Sequence, residues 1–136
     1  MKKLLVILSA LIVGGCAADG ASFAGFSDPS NGKSGIYVYR VNQFVGGGVP
    51  FQVKIDDKLI GVLKNGGYLY SEVTAGTHFV SSQTEVLRTI KIDAVEKQNT
   101  CIKLEPSIGI LAARPNLSLI EKETCAFEMT KTKLSN

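Results

Sequence analysis

The chain has 136 residues, 45% of them hydrophobic, with 15 Lys+Arg against 12 Asp+Glu and a single histidine. That length suits one domain with its own core and is too short for two comfortable ones. Its basic residues form no patch able to neutralise several phosphates, so nucleic acid is excluded as an expected partner.

Met1-Lys2-Lys3 is a short positive region, Leu4 to Val13 is a mostly apolar run, and Gly14-Gly15 supply small residues before Cys16. This order matches a secretory signal. The apolar run falls short of the roughly 20 residues needed to cross a hydrocarbon core, so it reads as a removable segment. Val13-Gly14-Gly15-Cys16 resembles the lipobox of bacterial lipoproteins, an aliphatic residue and two small residues before cysteine. The resemblance implies cleavage of residues 1–15, a diacylglycerol on the Cys16 thiol, and attachment to a membrane. Each buried methylene adds about 0.8 kcal/mol, so two or three acyl chains hold firmly where one is marginal. In enterobacterial lipoproteins an aspartate after the lipidated cysteine favours inner-membrane retention. Ala17 at that position points to the outer membrane, facing the periplasm.

Cleavage also changes the charge. Lys2 and Lys3 leave, so 13 positive side chains face 12 negative ones, a balance of +1 over Cys16–Asn136. Residues 16–33 then comprise the lipidated cysteine and a stretch rich in Gly, Ala and Ser, with Asp28-Pro29 and Asn31-Gly32 as turn signals. It reads as a flexible tether. Phe23 and Phe26 within it are expected near the bilayer or the domain surface.

From residue 34 onward the pattern has period two. Residues 35–41 and 51–55 alternate, the latter with Phe51, Val53 and Ile55 on one face and Gln52 and Lys54 on the other. Asp56-Asp57 makes a tight turn into 58–63. Asn65-Gly66-Gly67 is the strongest hairpin signal in the chain, because such turns need residues tolerant of positive φ. Further strands are expected at 68–73, 77–84, 86–92, 100–105 and 116–120. Residues 121–131 read either as a short C-terminal helix carrying Phe127, Thr124 and Thr130 on one face, the favoured reading, or as a final edge strand. The fold class is all-β, a single sandwich of about seven or eight strands over 34–136.

The ordered runs Ile36-Tyr37-Val38-Tyr39-Arg40, Val53-Lys54-Ile55-Asp56-Asp57, Ile60 to Tyr70 and Val73-Thr74-Ala75-Gly76-Thr77-His78 resemble a family of small bacterial lipoproteins. That family is a domain of unknown function with a PEGA-like β-sandwich. The resemblance covers roughly residues 35–92 and implies fold and envelope location, without an activity or catalytic residues. Ala75 stands where the family has proline, which frees φ at that corner.

Gly61 inside a strand predicts a bulge or a close backbone approach. Tyr68 and Tyr70 share a strand face and read as an aromatic pair at the core edge in preference to a ligand platform. Gly46-Gly47-Gly48 reads as a mobile connection, with partner contact as the alternative. Cys101 and Cys125, an even pair in an oxidising compartment, predict a disulfide; the alternative is two buried thiols. Gly32-Lys33-Ser34 lacks the glycine of a phosphate loop and precedes a strand, so no helix N-terminus is on offer. No G-x-S-x-G elbow occurs. His78, Cys101 and Cys125 lack zinc-site spacing. Asp56 and Asp57 read as a solvated turn, and Glu121, Glu123 and Glu128 as a solvated face.

No catalytic, cofactor or metal site is therefore expected. The leading reading is a lipid-anchored, non-enzymatic envelope module that contacts another envelope protein or peptidoglycan. The alternative is a small periplasmic hydrolase or enzyme inhibitor whose site gathers around His78.

Overall fold

The structure, a computed structural model, describes residues 17–136. Residues 1–16, which include the expected signal segment and the lipidation site expected at Cys16, lie outside the described residues. Eight strands follow the period-two pattern: β1 (Lys33–Tyr39), β2 (Phe51–Ile55), β3 (Lys58–Leu63), β4 (Gly67–Thr74), β5 (Gly76–Gln83), β6 (Leu87–Ala94), β7 (Asn99–Ser107) and β8 (Arg114–Ile120). Helix α1 (Lys122–Met129) and a two-residue strand β9 (Lys133–Leu134) complete the chain. The all-β sandwich with a short C-terminal helix is the observed architecture.

One sheet has the order β8-β7-β1-β4-β9 and the other β3-β2-β5-β6. β1 is central in the first, antiparallel to β4 and parallel to β7. Alternation along β1 sends Ile36 and Val38 inward, where they meet Phe51, Val53, Leu63, Leu69, Val80, Ile92, Ile102 and Leu104 in the inter-sheet core. β2 shows the simplest case, its odd residues buried and its even ones exposed. Asp56 and Asp57 take φ of 49° and 64° and close the β2–β3 hairpin, the conformation a two-residue loop needs to match strand twist. The register of that hairpin shifts opposite Gly61, where an added Cβ would lie 2.7 Å from Leu69 Cδ2. The expected bulge and close approach both occur there.

Asn65-Gly66 turns the chain but does not make the expected hairpin. β3 and β4 belong to different sheets, so the turn carries the chain across the sandwich. The Asn65 side chain instead accepts from Gln43 N at 2.9 Å and donates to Asn42 Oδ1 at 2.7 Å and Gln43 O at 2.9 Å. Turn chemistry specifies a reversal; which strands then pair is decided by distant contacts.

The outer face of the first sheet is also buried. Tyr37, Tyr39 and Cys101 point that way and are covered by Cys125 and Met129 of α1 and by Phe23 and Phe26. The sulfurs of Cys101 and Cys125 are bonded at 2.08 Å, so the expected disulfide ties α1 to β7. Cys125 and Met129, four residues apart, form the helix's inner face, whereas Phe127 is exposed. The helix thus presents a face other than the one carrying Thr124, Phe127 and Thr130.

Residues 17–32 differ most from expectation. Instead of a flexible tether they form a strap along the sheet's outer face, bonded from Ala18 N to Asn65 O (3.0 Å), Phe23 N to Thr132 O (3.1 Å) and Ser27 N to the Tyr37 hydroxyl (2.8 Å). Phe23 and Phe26 stack edge-on against Tyr37 at 6.0 and 5.1 Å, with Tyr68 and Tyr70 beside it at 6.4 and 4.6 Å. The two tyrosines are a structural aromatic cluster, as read. The strap docks because β1 exposes tyrosines outward that must be covered, and two phenylalanines outweigh a Gly- and Ser-rich composition.

Arg40, at the exit of β1, is fully buried. Its Nη1 donates to Val49 O at 2.7 Å and its Nη2 to Gly46 O at 3.0 Å, and the guanidinium lies 5.0 Å from the Phe51 ring centre. The glycine loop expected to be mobile is clamped by these bonds. Gly46 takes φ +72°, and a Cβ there would sit 2.8 Å from Pro106 Cβ.

Two outcomes follow from this packing. Reducing the disulfide, which spans 24 residues, lowers the unfolding free energy measured in urea by about 3 kcal/mol. Arg40→Lys, which cannot reproduce the fork to two carbonyls, costs about 2 kcal/mol and raises hydrogen exchange across residues 42–49.

Candidate functional site

His78, the residue on which an enzymatic reading would depend, stands near the start of β5 just past the Thr74–Gly76 corner. Its Nδ1 lies 2.5 Å from Asp56 Oδ2 and its Nε2 lies 2.7 Å from Thr74 O. Asp56 Oδ1 accepts from Phe79 N at 2.9 Å. The pair therefore locks the β2–β3 turn to the β4–β5 corner at one end of the second sheet, where β2 and β5 are neighbours. Asp56 is not a merely solvated turn residue, because the corner brings an imidazole and a backbone amide to it.

The hydrogen bond to Asp56 is the main cause that raises the His78 pKa above its ordinary value, against a smaller lowering by burial. The same bond, with the Phe79 amide, holds Asp56 below its ordinary value. In the charged pair Nε2–H donates to the Thr74 carbonyl. Both ring nitrogens are engaged, and neither is left to take a proton from a substrate or nucleophile.

Glu128 also departs from its expected solvated setting. It accepts from the Tyr39 hydroxyl at 2.6 Å and from Lys103 Nζ at 3.1 Å, with Lys103 also 3.2 Å from Glu105. The tyrosine bond is the largest cause lowering the Glu128 pKa, and burial raises that of Tyr39. The network sits between α1 and the first sheet and acts as a cross-brace. Cys101 and Cys125 are bonded to each other, which removes both sulfurs as thiolate ligands for the zinc set.

The chemically distinctive region lies at the other end of the sandwich, where β1 and β7 end and β2 and β8 begin. The loop from Val41 to Pro50 meets the β7–β8 loop there: Val45, Gly46 and Val49 share a shallow groove with residues 106–113. Glu85 holds the second loop, accepting from Ile110 N at 2.7 Å, Leu111 N at 3.0 Å and Arg114 Nε at 2.8 Å. These bonds keep its pKa low, the Leu111 amide first among them. Arg40 and Glu85 thus each use a charged side chain to satisfy loop backbone, leaving the loops' apolar side chains outward. Ala17, the first described residue, lines a depression with Asn42, Phe44 and Asn65 at this same end. In the sequence this region shows only as the triple glycine and as two apolar, uncharged loop segments of unusual composition, and nothing along the chain brings the two segments together.

Comparison with known proteins gives a family without an assigned role. One curated relative, an uncharacterized protein of Haemophilus influenzae, is 29% identical over 99 residues, 72% of this chain and 58% of that protein. The chain therefore matches only a little over half the length of that relative. No solved structure matches. Residues 30–105, from the end of the strap through most of β7, match the family described as a protein of unknown function, DUF2846. The match takes in Arg40, the Asp56–His78 lock and the Asn65 turn, and the chain belongs to that family.

Proposed function

We propose that this protein is a lipid-anchored bacterial envelope protein whose β-sandwich serves as a binding or structural module and performs no catalysis. The observation that carries the reading is the N-terminal order of positive residues, apolar run, Gly14-Gly15 and Cys16, followed at once by a residue docked on the domain. Ala17 pairs with Asn65 as an isolated β-bridge, so an acyl chain on Cys16 would join the fold without an intervening free linker. Location at the outer membrane, facing the periplasm, follows the same reading through Ala17. The partner is an envelope protein or peptidoglycan. A disulfide in the domain suits an oxidising compartment.

The non-catalytic part of the reading is supported by the engagement of His78 described above. The pair's effect on stability has a definite sign. His78 has a raised folded pKa, so its contribution is full below the unfolded value of about 6.5 and is lost as pH rises through the folded value. Asp56 has a lowered folded pKa, so its contribution is present above about 3.9 and is lost as pH falls through the folded value.

Three measurements test the proposal. Wild-type chain expressed in a diderm bacterium takes up labelled palmitate and partitions with membranes, whereas Cys16→Ser does neither; equal labelling of the two would sink the anchor. The stability gap between wild type and His78→Gln is widest between about pH 4 and 6.5 and narrows on either side, as read by urea midpoints. Photo-crosslinking in intact cells recovers the same specific envelope partner from wild type and His78→Ala. Loss of function in a folded His78→Ala protein would instead favour a hydrolase or inhibitor.

A further inference from the structure

Five large apolar side chains crowd the loop end of the sandwich without cover. Phe44 is fully exposed, Val45 is 62% exposed, and Ile108, Ile110 and Leu111 are 87%, 85% and 89% exposed. They come from two loops in contact with each other, and residues 41–50 and 106–113 contain no charged residue. Scattered apolar residues are ordinary on a surface, but a contiguous uncharged cluster marks a place that another apolar phase covers.

The course of the chain identifies that phase. The strap runs along the first sheet from its bridge with Asn65 down to β1, so its N-terminal end lies at the same end as the two loops. Cys16 is one peptide bond beyond Ala17, and Ala17 and Phe44 line one depression. A lipid on Cys16 would therefore enter the membrane beside Phe44. The expected tether would have let the domain stand away from the bilayer; a docked strap does not.

Charges on the neighbouring segments fit a headgroup layer. Lys64 precedes Asn65, Lys133 pairs with Gly67, and Lys131 lines a hollow with Val41 and Asn42. Long lysine side chains can place their ammonium groups among phosphates while their stems lie on apolar surface. Two carboxylates of this region are engaged, Glu85 by Arg114 and two loop amides and Glu128 by Tyr39 and Lys103, while Asp19 on the strap is exposed.

We propose that Phe44, Val45, Ile108, Ile110 and Leu111 are seated in the lipid monolayer that carries the Cys16 anchor, fixing the domain loop-end down on the membrane. This rests on the lipid-anchor reading above. The seat adds buried apolar area to the acyl chains and sets orientation, as interfacial apolar faces do. The Asp56–His78 end then faces away from the bilayer, toward partners.

The chain has no tryptophan, so single replacements report depth cleanly. Phe44→Trp, Leu111→Trp and Phe79→Trp, the last at the opposite end, are made in the full chain and purified as lipidated protein. Each is reconstituted into phosphatidylethanolamine–phosphatidylglycerol vesicles with brominated acyl chains. Reporters at positions 44 and 111 are expected to shift to the blue and lose most of their emission, and that at 79 to do neither. Water-like emission at 44 and 111 in vesicle-bound protein overturns the seat while leaving the anchor standing. A blue shift that ignores bromine and grows with protein concentration assigns the patch to a second copy and overturns it equally. A mature chain whose mass shows no acyl group ends the anchor reading instead. The unlipidated protein is then added to the same vesicles, where quenching at 44 and 111 upholds the seat and its absence rejects it.

Discussion

The structure depends on a central strand that is buried on both of its faces. β1 is enclosed laterally by β4 and β7, and its side chains alternate between two apolar environments. Ile36 and Val38 belong to the core between the sheets, Tyr37 and Tyr39 to a second cluster on the outside. A two-layer sandwich would leave that second face wet. Covering it is what gives work to the helix, the disulfide and the N-terminal strap, and it makes the molecule three layers deep over this sheet.

The cover is polar where it meets tyrosine hydroxyls. The Tyr37 hydroxyl accepts from the strap at Ser27 N, and the Tyr39 hydroxyl donates to Glu128. Each buried ring thereby satisfies its one polar atom, which is the condition for placing tyrosine in a core. Breaking either bond would leave a polar atom facing apolar neighbours. The strap's path follows from these fixed points, and that path places residue 17 at the loop end. Arg40, immediately beyond Tyr39, organises that end from below. Its buried charge enters no ion pair among the described residues and is met by two carbonyls and an aromatic face. The loop carbonyls it draws inward are the reason the loop's side chains are left outside.

Much of this was legible along the chain. The alternation in Phe51 to Ile55 gives a strand and its inward face, Asp56-Asp57 gives a positive-φ turn, and Gly61 marks a bulge. Three features were not. Asn65-Gly66 carries the same turn chemistry as a hairpin, yet joins different sheets, because strand partners are chosen by packing far along the sequence. Residues 17–32 have a linker's composition, yet dock, because two phenylalanines find tyrosines whose exposure only the sheet order reveals. Asp56 and Glu128 look like surface carboxylates, yet each meets its partner across a long sequence separation, His78 in one case and Tyr39 in the other.

The sequence by itself determined the eight longer strands, the turns, the even cysteine pair and the N-terminal features that an anchor would use. These are local or countable properties, written in period, propensity and parity. Tertiary structure alone decided which faces needed cover, that the strap would cover one, and that the two uncharged loops and residue 17 would share an end. Those outcomes depend on sheet order and strand direction, which arise from contacts between residues far apart and leave no mark on any one stretch of chain.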